Sequence, residues 1–211
     1  MKLPFTLIAI LISKSLFADG YYPEPISQDQ PWSVTASLGN GKYQSIHNYS
    51  NNTTLGRLAL GNDMMLTGDL AWGLELGIQN GNKIYLERTS HALALIEWFP
   101  IKTNLGPMLD LLVTAKSDPI AGSSFFAQLK GGIAYRSWQI TNQAIKDTAQ
   151  LTAEFQAGLG YPITTLTSLN LLYQGVFSNE PYLSFHPYSK TGNLTNIPSL
   201  HAVLLGFSIN I

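Results

Sequence analysis

The sequence has no cysteine. That excludes disulfides, thiolate zinc sites, iron–sulfur ligation and a cysteine nucleophile. Charge is scarce: 12% of the 211 residues are Asp, Glu, Lys or Arg, where a soluble domain usually carries about 25%. The formal net charge is −1, so no basic excess exists to hold a nucleic acid backbone. Beyond the N-terminal region no segment offers about 18 consecutive apolar residues, and no transmembrane helix is expected. What is present in quantity is apolar and aromatic. Hydrophobic residues make up 45%, with 4 Trp, 10 Tyr and 9 Phe beside 18 Gly. This mixture points to strands and turns, not to a helical bundle. High apolar content with low charge excludes extensive disorder, and the length suits one domain with a full core.

The start of the chain has the parts of an export signal. Lys2 is the charged beginning, Leu3 to Ile12 the apolar stretch, and Ser15-Leu16-Phe17-Ala18-Asp19-Gly20 the small-residue end. The apolar stretch is too short to span a bilayer, and Lys14 interrupts its far end. Cleavage after Ala18 and cleavage after Gly20 both fit. With the first cut, residues 1–18 are the signal peptide and the mature chain has 10 basic and 13 acidic residues, a net −3. Residues 19–30 (DGYYPEPISQDQ), polar and proline-bearing, read as a flexible leader, and 31–211 as the folded domain.

From Trp32 onward the dominant period is two. Eight segments alternate: 32–39, 54–62, 69–79, 107–116, 124–137, 150–161, 168–177 and 200–211. In the third, Leu70, Trp72, Leu74, Leu76 and Ile78 share one face, and Ala71, Gly73, Glu75, Gly77 and Gln79 the other. Short connections (63–68, 117–123, 162–167) alternate with long ones (40–53, 80–106, 138–149, 178–199). That is the pattern of an antiparallel up-and-down β-barrel with one plain and one elaborated end. The segment His91 to Phe99 is apolar enough for a ninth strand, but a closed barrel of this kind wants an even number. The expectation is therefore eight strands, with 80–106 a single excursion that has a local strand or helical turn at its centre; ten strands are the alternative.

Composition decides which face meets which solvent. The eight segments place 43 residues on each face, and the apolar face (Val34, Leu58, Trp72, Leu111, Leu129, Phe155, Tyr173 and Phe207 among them) has no charged residue. Of the 43 on the other face, 20 are Gly, Ala, Ser or Thr, which suits a crowded lumen better than a solvated exterior. Aromatics gather toward the strand ends, Trp32, Trp72, Phe125, Tyr161 and Phe207 at one rim and Tyr135, Tyr173 and Phe177 at the other, as in interfacial girdles. The expectation is a transmembrane barrel, its apolar face toward lipid. The alternative is a secreted barrel with that face lining a ligand cavity.

The lumen face carries Arg57, Lys116, Lys130 and Arg136 against Asp69, Glu75, Asp110 and Glu154. Asp69 opens its strand and reaches at most the rim. Buried charges are tolerated when paired, so an internal salt-bridge network is expected, with Lys130 and Arg136 meeting Glu75 and Glu154. Its expected role is to fill and order the lumen; a narrow gated ion path is the functional alternative. Catalysis has thin support. The histidines (His47, His91, His186, His201) lie in long connections or at a strand's loop end, with Ser199 and Glu180 near His201. There is no HExxH and no histidine pair at ligand spacing, so no metal and no cofactor is expected.

The last strand runs to the final residue as Leu204-Leu205-Gly206-Phe207-Ser208-Ile209-Asn210-Ile211. Gly206, Ile209 and Ile211 match the C-terminal assembly signal of Gram-negative outer-membrane barrels; the terminal Ile in place of Phe and Leu204 at a usually polar position depart from it. With the export signal, Lys130-Gly-Gly-Ile-Ala-Tyr-Arg136 and Gln156-Ala-Gly-Leu-Gly-Tyr161, residues 30–211 resemble the opacity-protein and outer-membrane-protein-A-like barrels. The resemblance implies an eight-stranded barrel in the bacterial outer membrane, short periplasmic turns, extracellular loops and assembly by the barrel insertion machinery. It transfers no catalytic residue. The function expected is a non-enzymatic surface protein, structural or antigen- and adhesin-like, with outer-membrane lipids and lipopolysaccharide as partners and host surface molecules as candidates for the loops. A porin-like channel and a lipid A-modifying enzyme of the histidine and serine type are the alternatives.

Overall fold

Period-two alternation without helical breaks becomes strand after strand. The structure, a computed structural model, describes residues 32–44, 52–85, 102–120, 122–140, 145–146, 148–186 and 191–211. In chain order the strands are β1 (Trp32–Tyr43), β2 (Asn52–Thr67), β3 (Leu70–Gln79), β4 (Lys83–Tyr85), β5 (Lys102–Leu105), β6 (Met108–Pro119), β7 (Phe126–Ile140), β8 (Ile145–Lys146), β9 (Ala149–Pro162), β10 (Thr167–Phe177), β11 (Tyr182–His186), β12 (Thr191–Thr195) and β13 (Leu200–Asn210). Eight long ones, β1, β2, β3, β6, β7, β9, β10 and β13, pair antiparallel with their neighbours in the chain. β1 pairs with β13 from Ser33–Asn210 to Tyr43–Leu200, which closes the sheet into an up-and-down barrel of eight strands, not ten.

The connections sort by end. Gly68-Asp69 joins β2 to β3 as a two-residue turn. Gly68 has φ +58°, the left-handed geometry that hairpin turns assign to glycine. Residues 122–125 and 163–166 lie in the other connections of this plain end, where Trp32 and Ile211 also meet through the Ile211 amide and the Trp32 carbonyl, 2.9 Å apart. The long connections share the opposite end. There β11 and β12 pair as a hairpin, with β8 parallel to β12.

The 80–106 excursion has stranded flanks: β4 pairs with β5, and β5 continues along β7 through Thr103–Ile140 to Leu105–Trp138. The flanks extend the β3–β6 edge because β7 is long enough to template them. Residues 86–101, including His91 to Phe99, lie outside the described residues.

Alternation is sharp on every barrel strand, and its sense is inverted relative to a water-soluble protein. Leu38, Leu58, Leu76, Leu111, Ile133, Leu151, Leu171 and Leu205 face outward and exposed, while Arg57, Glu75, Asp110, Lys130, Gln156 and Gln174 are buried inside. Water could not be the solvent of such an exterior, which would be one continuous apolar patch around the molecule. In a bilayer the same belt is matched, and the closed sheet leaves no backbone edge in the hydrocarbon. Trp32, Trp72, Phe125, Tyr161 and Phe207 stand exposed toward the plain end and Tyr135, Tyr173 and Phe177 toward the other. Phe125 and Tyr161 are neighbours, with ring centroids 5.3 Å apart. The chain is a transmembrane β-barrel.

Candidate functional site in the barrel interior

Inward positions of four neighbouring strands build one charged centre. Arg57 on β2 donates from Nε to Asp110 Oδ2 on β6 at 3.0 Å, and its Nη2 meets Asp110 Oδ1 as well. The same Nη2 lies 2.9 Å from Glu75 Oε1 on β3. Lys130 Nζ on β7 donates to both Glu75 oxygens at 2.9 and 2.7 Å. These side chains are at most 6% exposed, so each charge depends on its partners for what water would otherwise supply. The centre fits because Gly77, on β3 between them, has no side chain. A Cβ there would overlap Arg57 Nη2 and both Asp110 oxygens.

Glu154 on β9 is held by amides through one oxygen, while Oε2 is buried without a hydrogen-bond partner among the described residues. Its Oε1 accepts from Gln156 Nε2 and from Gln174 Nε2, each at 2.7 Å, and Gln174 Nε2 also reaches Gln79 Oε1 at 3.0 Å. Arg136 was expected beside Glu154. Instead both Nη atoms donate to the Pro198 carbonyl at 3.0 Å, and its guanidinium lies 5.8 Å from the Tyr43 ring centre. The 178–199 connection returns over the barrel mouth and presents a carbonyl that the planar fork matches. Asp69 is not a lumen residue. It sits exposed in the β2–β3 turn, where its carbonyl accepts from the Asp118 amide at 2.9 Å. Lys116 therefore pairs with Asp63, at 2.7 and 3.0 Å, on the plain-end rim. Asp63 is absent from the expected set because β2 runs beyond Asn62. The signal for it is parity: Arg57, Ala59 and Gly61 lead inward to Asp63.

Toward the plain end the lumen is lined by hydroxyls and amides. Gln128 donates to Asn170, Asn170 to Ser208, and Thr35 and Ser208 share a hydrogen bond of 2.6 Å. A small cavity of about 40 Å³ opens among Ser33, Thr35, Glu75, Lys116 and Lys130. Toward the long connections the lumen turns apolar. Tyr43, Leu55, Leu105, Met108, Trp138, Leu172, Val176, Leu200 and Leu204 form one buried cluster, and Ile197 from the 178–199 connection inserts into it. Trp138 Nε1 donates to the Asn196 carbonyl at 3.0 Å, pinning that connection across the mouth. This plug is not in the expected site. Its signal is again parity, carried past Tyr43 and Trp138 into segments assigned to loops. Leu204, which departs from the usual terminal-strand pattern, is inward and belongs to it.

The candidate catalytic group does not assemble. His201 points outward at the girdle, 2.5 Å from Tyr173 Oη through Nδ1. Ser199 Oγ instead donates to the Ser178 carbonyl at 2.7 Å and accepts from its amide at 2.9 Å. Glu180 is exposed in the long connection, and His47 and His91 lie outside the described residues.

No family model and no curated protein matches the sequence. Solved structures do match the fold. One is Neisserial surface protein A, 14% identical, with a TM-score of 0.53 over 86% of this chain and 97% of that one. Another is the outer membrane protein OprG from Pseudomonas aeruginosa, 10% identical, with a TM-score of 0.54 over the same shares. The fold is that of the small outer-membrane β-barrels. At such identity the likeness extends to architecture, and residue roles rest on this chain's own geometry.

Proposed function

We propose that the chain is a non-enzymatic outer-membrane barrel whose long connections face the cell exterior and serve surface interaction. The observation that carries this is the occupied lumen: a paired charge centre beneath an apolar plug, inside an exterior that only lipid can solvate. Side chains fill most of this eight-stranded interior, so the chemistry free to vary lies in the connections. Neisserial surface protein A, alike in fold, is by its name a surface protein. The export signal over 1–18 and the terminal Gly206, Ile209 and Ile211 suit delivery to the barrel insertion machinery, and Ile209 and Ile211 stand exposed on the lipid side.

Membrane fractionation with gel mobility before and after boiling tests the first part. Recovery in the outer membrane with a heat-dependent shift is expected; a soluble periplasmic protein would overturn the reading. The absence of cysteine makes orientation testable by single introductions. Asn179→Cys, in a long connection, is expected to react with an impermeant thiol reagent on intact cells. Thr165→Cys, in a plain-end turn, is expected to react only after lysis. The reverse pattern would remove the surface role.

A further inference from the structure

The outward face of β13, β1 and β2 changes character row by row toward the long-connection rim. Cross-strand partners His201, Lys42 and Asn52 form the outermost row, followed by Val203, Asn40 and Thr54. Then come Leu205, Leu38 and Gly56, and below them Phe207, Ala36 and Leu58. Directly opposed residues on one face have Cβ atoms about 4.5–5.5 Å apart, so Lys42 and His201 stand side by side. Lys42 is exposed and has no ion pair with a described residue. The His201 ring is set by Tyr173 at Nδ1 and by the Phe177 ring, edge-on with centroids 6.2 Å apart. The tautomer with its proton on Nε2 accepts the phenol at Nδ1 and leaves Nε2 as a donor one strand away from Lys42. The outward positions of 32–42, 52–60 and 201–209 hold no carboxylate.

Beneath these polar rows a groove of about 710 Å³ crosses the belt among Ala36, Leu38, Leu58, Ile78, Leu205 and Phe207. Its depth comes from Gly56 and Ala36, small residues set among Leu38, Leu58, Leu205 and Phe207. A pair of donors directly above an apolar groove, on a surface solvated by lipid, matches a molecule with an anionic head and a hydrocarbon tail.

We propose that this face holds one phosphorylated lipid of the outer leaflet, of the lipid A type, with a phosphate on Lys42 and His201 and an acyl chain in the groove beside Gly56. The proposal rests on the reading above that the long connections lie on the outer side.

The test is native mass spectrometry of the full chain, purified from membranes and placed in phosphatidylcholine nanodiscs with diphosphorylated or dephosphorylated lipid A. One diphosphorylated lipid is expected to remain bound. Removing its phosphates, or combining Lys42→Gln with His201→Gln, is expected to lower retention about tenfold, the loss of a charge-assisted contact. Gly56→Leu is expected to lower it too; its new Cβ would find Leu38 at an ordinary 3.8 Å, so the fold is kept and only the groove is filled. Ala153→Leu, outward on β9, is expected to leave retention unchanged. Equal retention of both lipids, or no effect of the double variant, would overturn the proposal. So would displacement by millimolar inorganic phosphate, or indifference to Gly56→Leu, since either would leave no lipid site. A chain that never enters the outer membrane fails the underlying reading; one that enters and does not prefer the phosphorylated lipid fails this proposal alone.

Discussion

The two halves of the lumen are made by the same strands with the same alternation, yet they solve different problems. Near the plain end, inward positions are Ser33, Thr35, Gln128, Lys130, Asn170 and Ser208; on the same strands near the long connections they become Tyr43, Trp138, Val176 and Leu200. The first half opens to a small polar cavity and holds charges by pairing them. The second excludes water by packing, helped by Ile197. A barrel closed by charges alone keeps groups that ions and water can compete for, whereas one closed by apolar packing offers them nothing. The plug, more than the ion pairs, is what sets this interior apart from an aqueous pore.

The comparison is broken most severely by removing one partner from each half. Glu75→Ala leaves Arg57 with Asp110 and Lys130 with no carboxylate partner among the described residues, and loss of a buried partner costs about 3–5 kcal/mol. Trp138→Ala empties the plug and costs about the same, 3–5 kcal/mol. Urea unfolding in lipid vesicles measures both. Single-channel recording separates them: no current is expected for the parent or Glu75→Ala, and brief openings for Trp138→Ala. Current through the parent protein would give the lumen a conducting role. On the belt, Leu76→Arg is expected to cost about 2–4 kcal/mol, the penalty for a cation facing mid-bilayer. If it cost nothing, the exterior would not be in lipid.

Weaker effects belong to the plain-end rim. Lys116→Ala removes a rim pair that water still reaches, 17% and 25% exposed, and is expected to cost about 1 kcal/mol, which sharpens the contrast with Glu75. Smallest is Asp118, at the exposed plain-end tip of β6 beyond the belt. Its carboxyl is raised above the usual range, first by partial burial and then by Asp69. A raised folded-state value means no penalty below the ordinary carboxylate range and a small one as pH rises through it. Asp118→Asn should equal the parent at pH 3 and exceed it at pH 7 by about a few tenths of a kcal/mol, since solvent screens the pair. A stability gain that appears only at low pH would reverse the sign.

Much of the fold was legible because a barrel strand writes its two environments into alternate residues. All eight long strands overlap the eight alternating segments, and Leu70 to Ile78 faces lipid as its pattern required. Legibility failed where strands outran their alternation. β2 continues to Thr67 and carries Asp63 inward just ahead of a bulge between Asp63 and Met65. β7 continues to Ile140 and carries Trp138 into the plug. It failed again for partners. Arg136 shares the inward face with Glu154, but parity gives no depth along the barrel and no account of a connection that folds back. Pro198 took the guanidinium that a count of charges would have assigned to a carboxylate.

The sequence by itself determined the class of this protein. Alternation set the strand count, the charge-free face set the solvent on the outside, and the small and charged face set a crowded interior, because each is a property of residues one and two positions apart. The tertiary structure alone decided who meets whom. Which cation reaches Glu75, why Gly77 must lack a side chain, how Ile197 seals the mouth and that Lys42 stands beside His201 all depend on registers between strands distant in the chain. Closure of the sheet fixes those registers, and no local pattern encodes them.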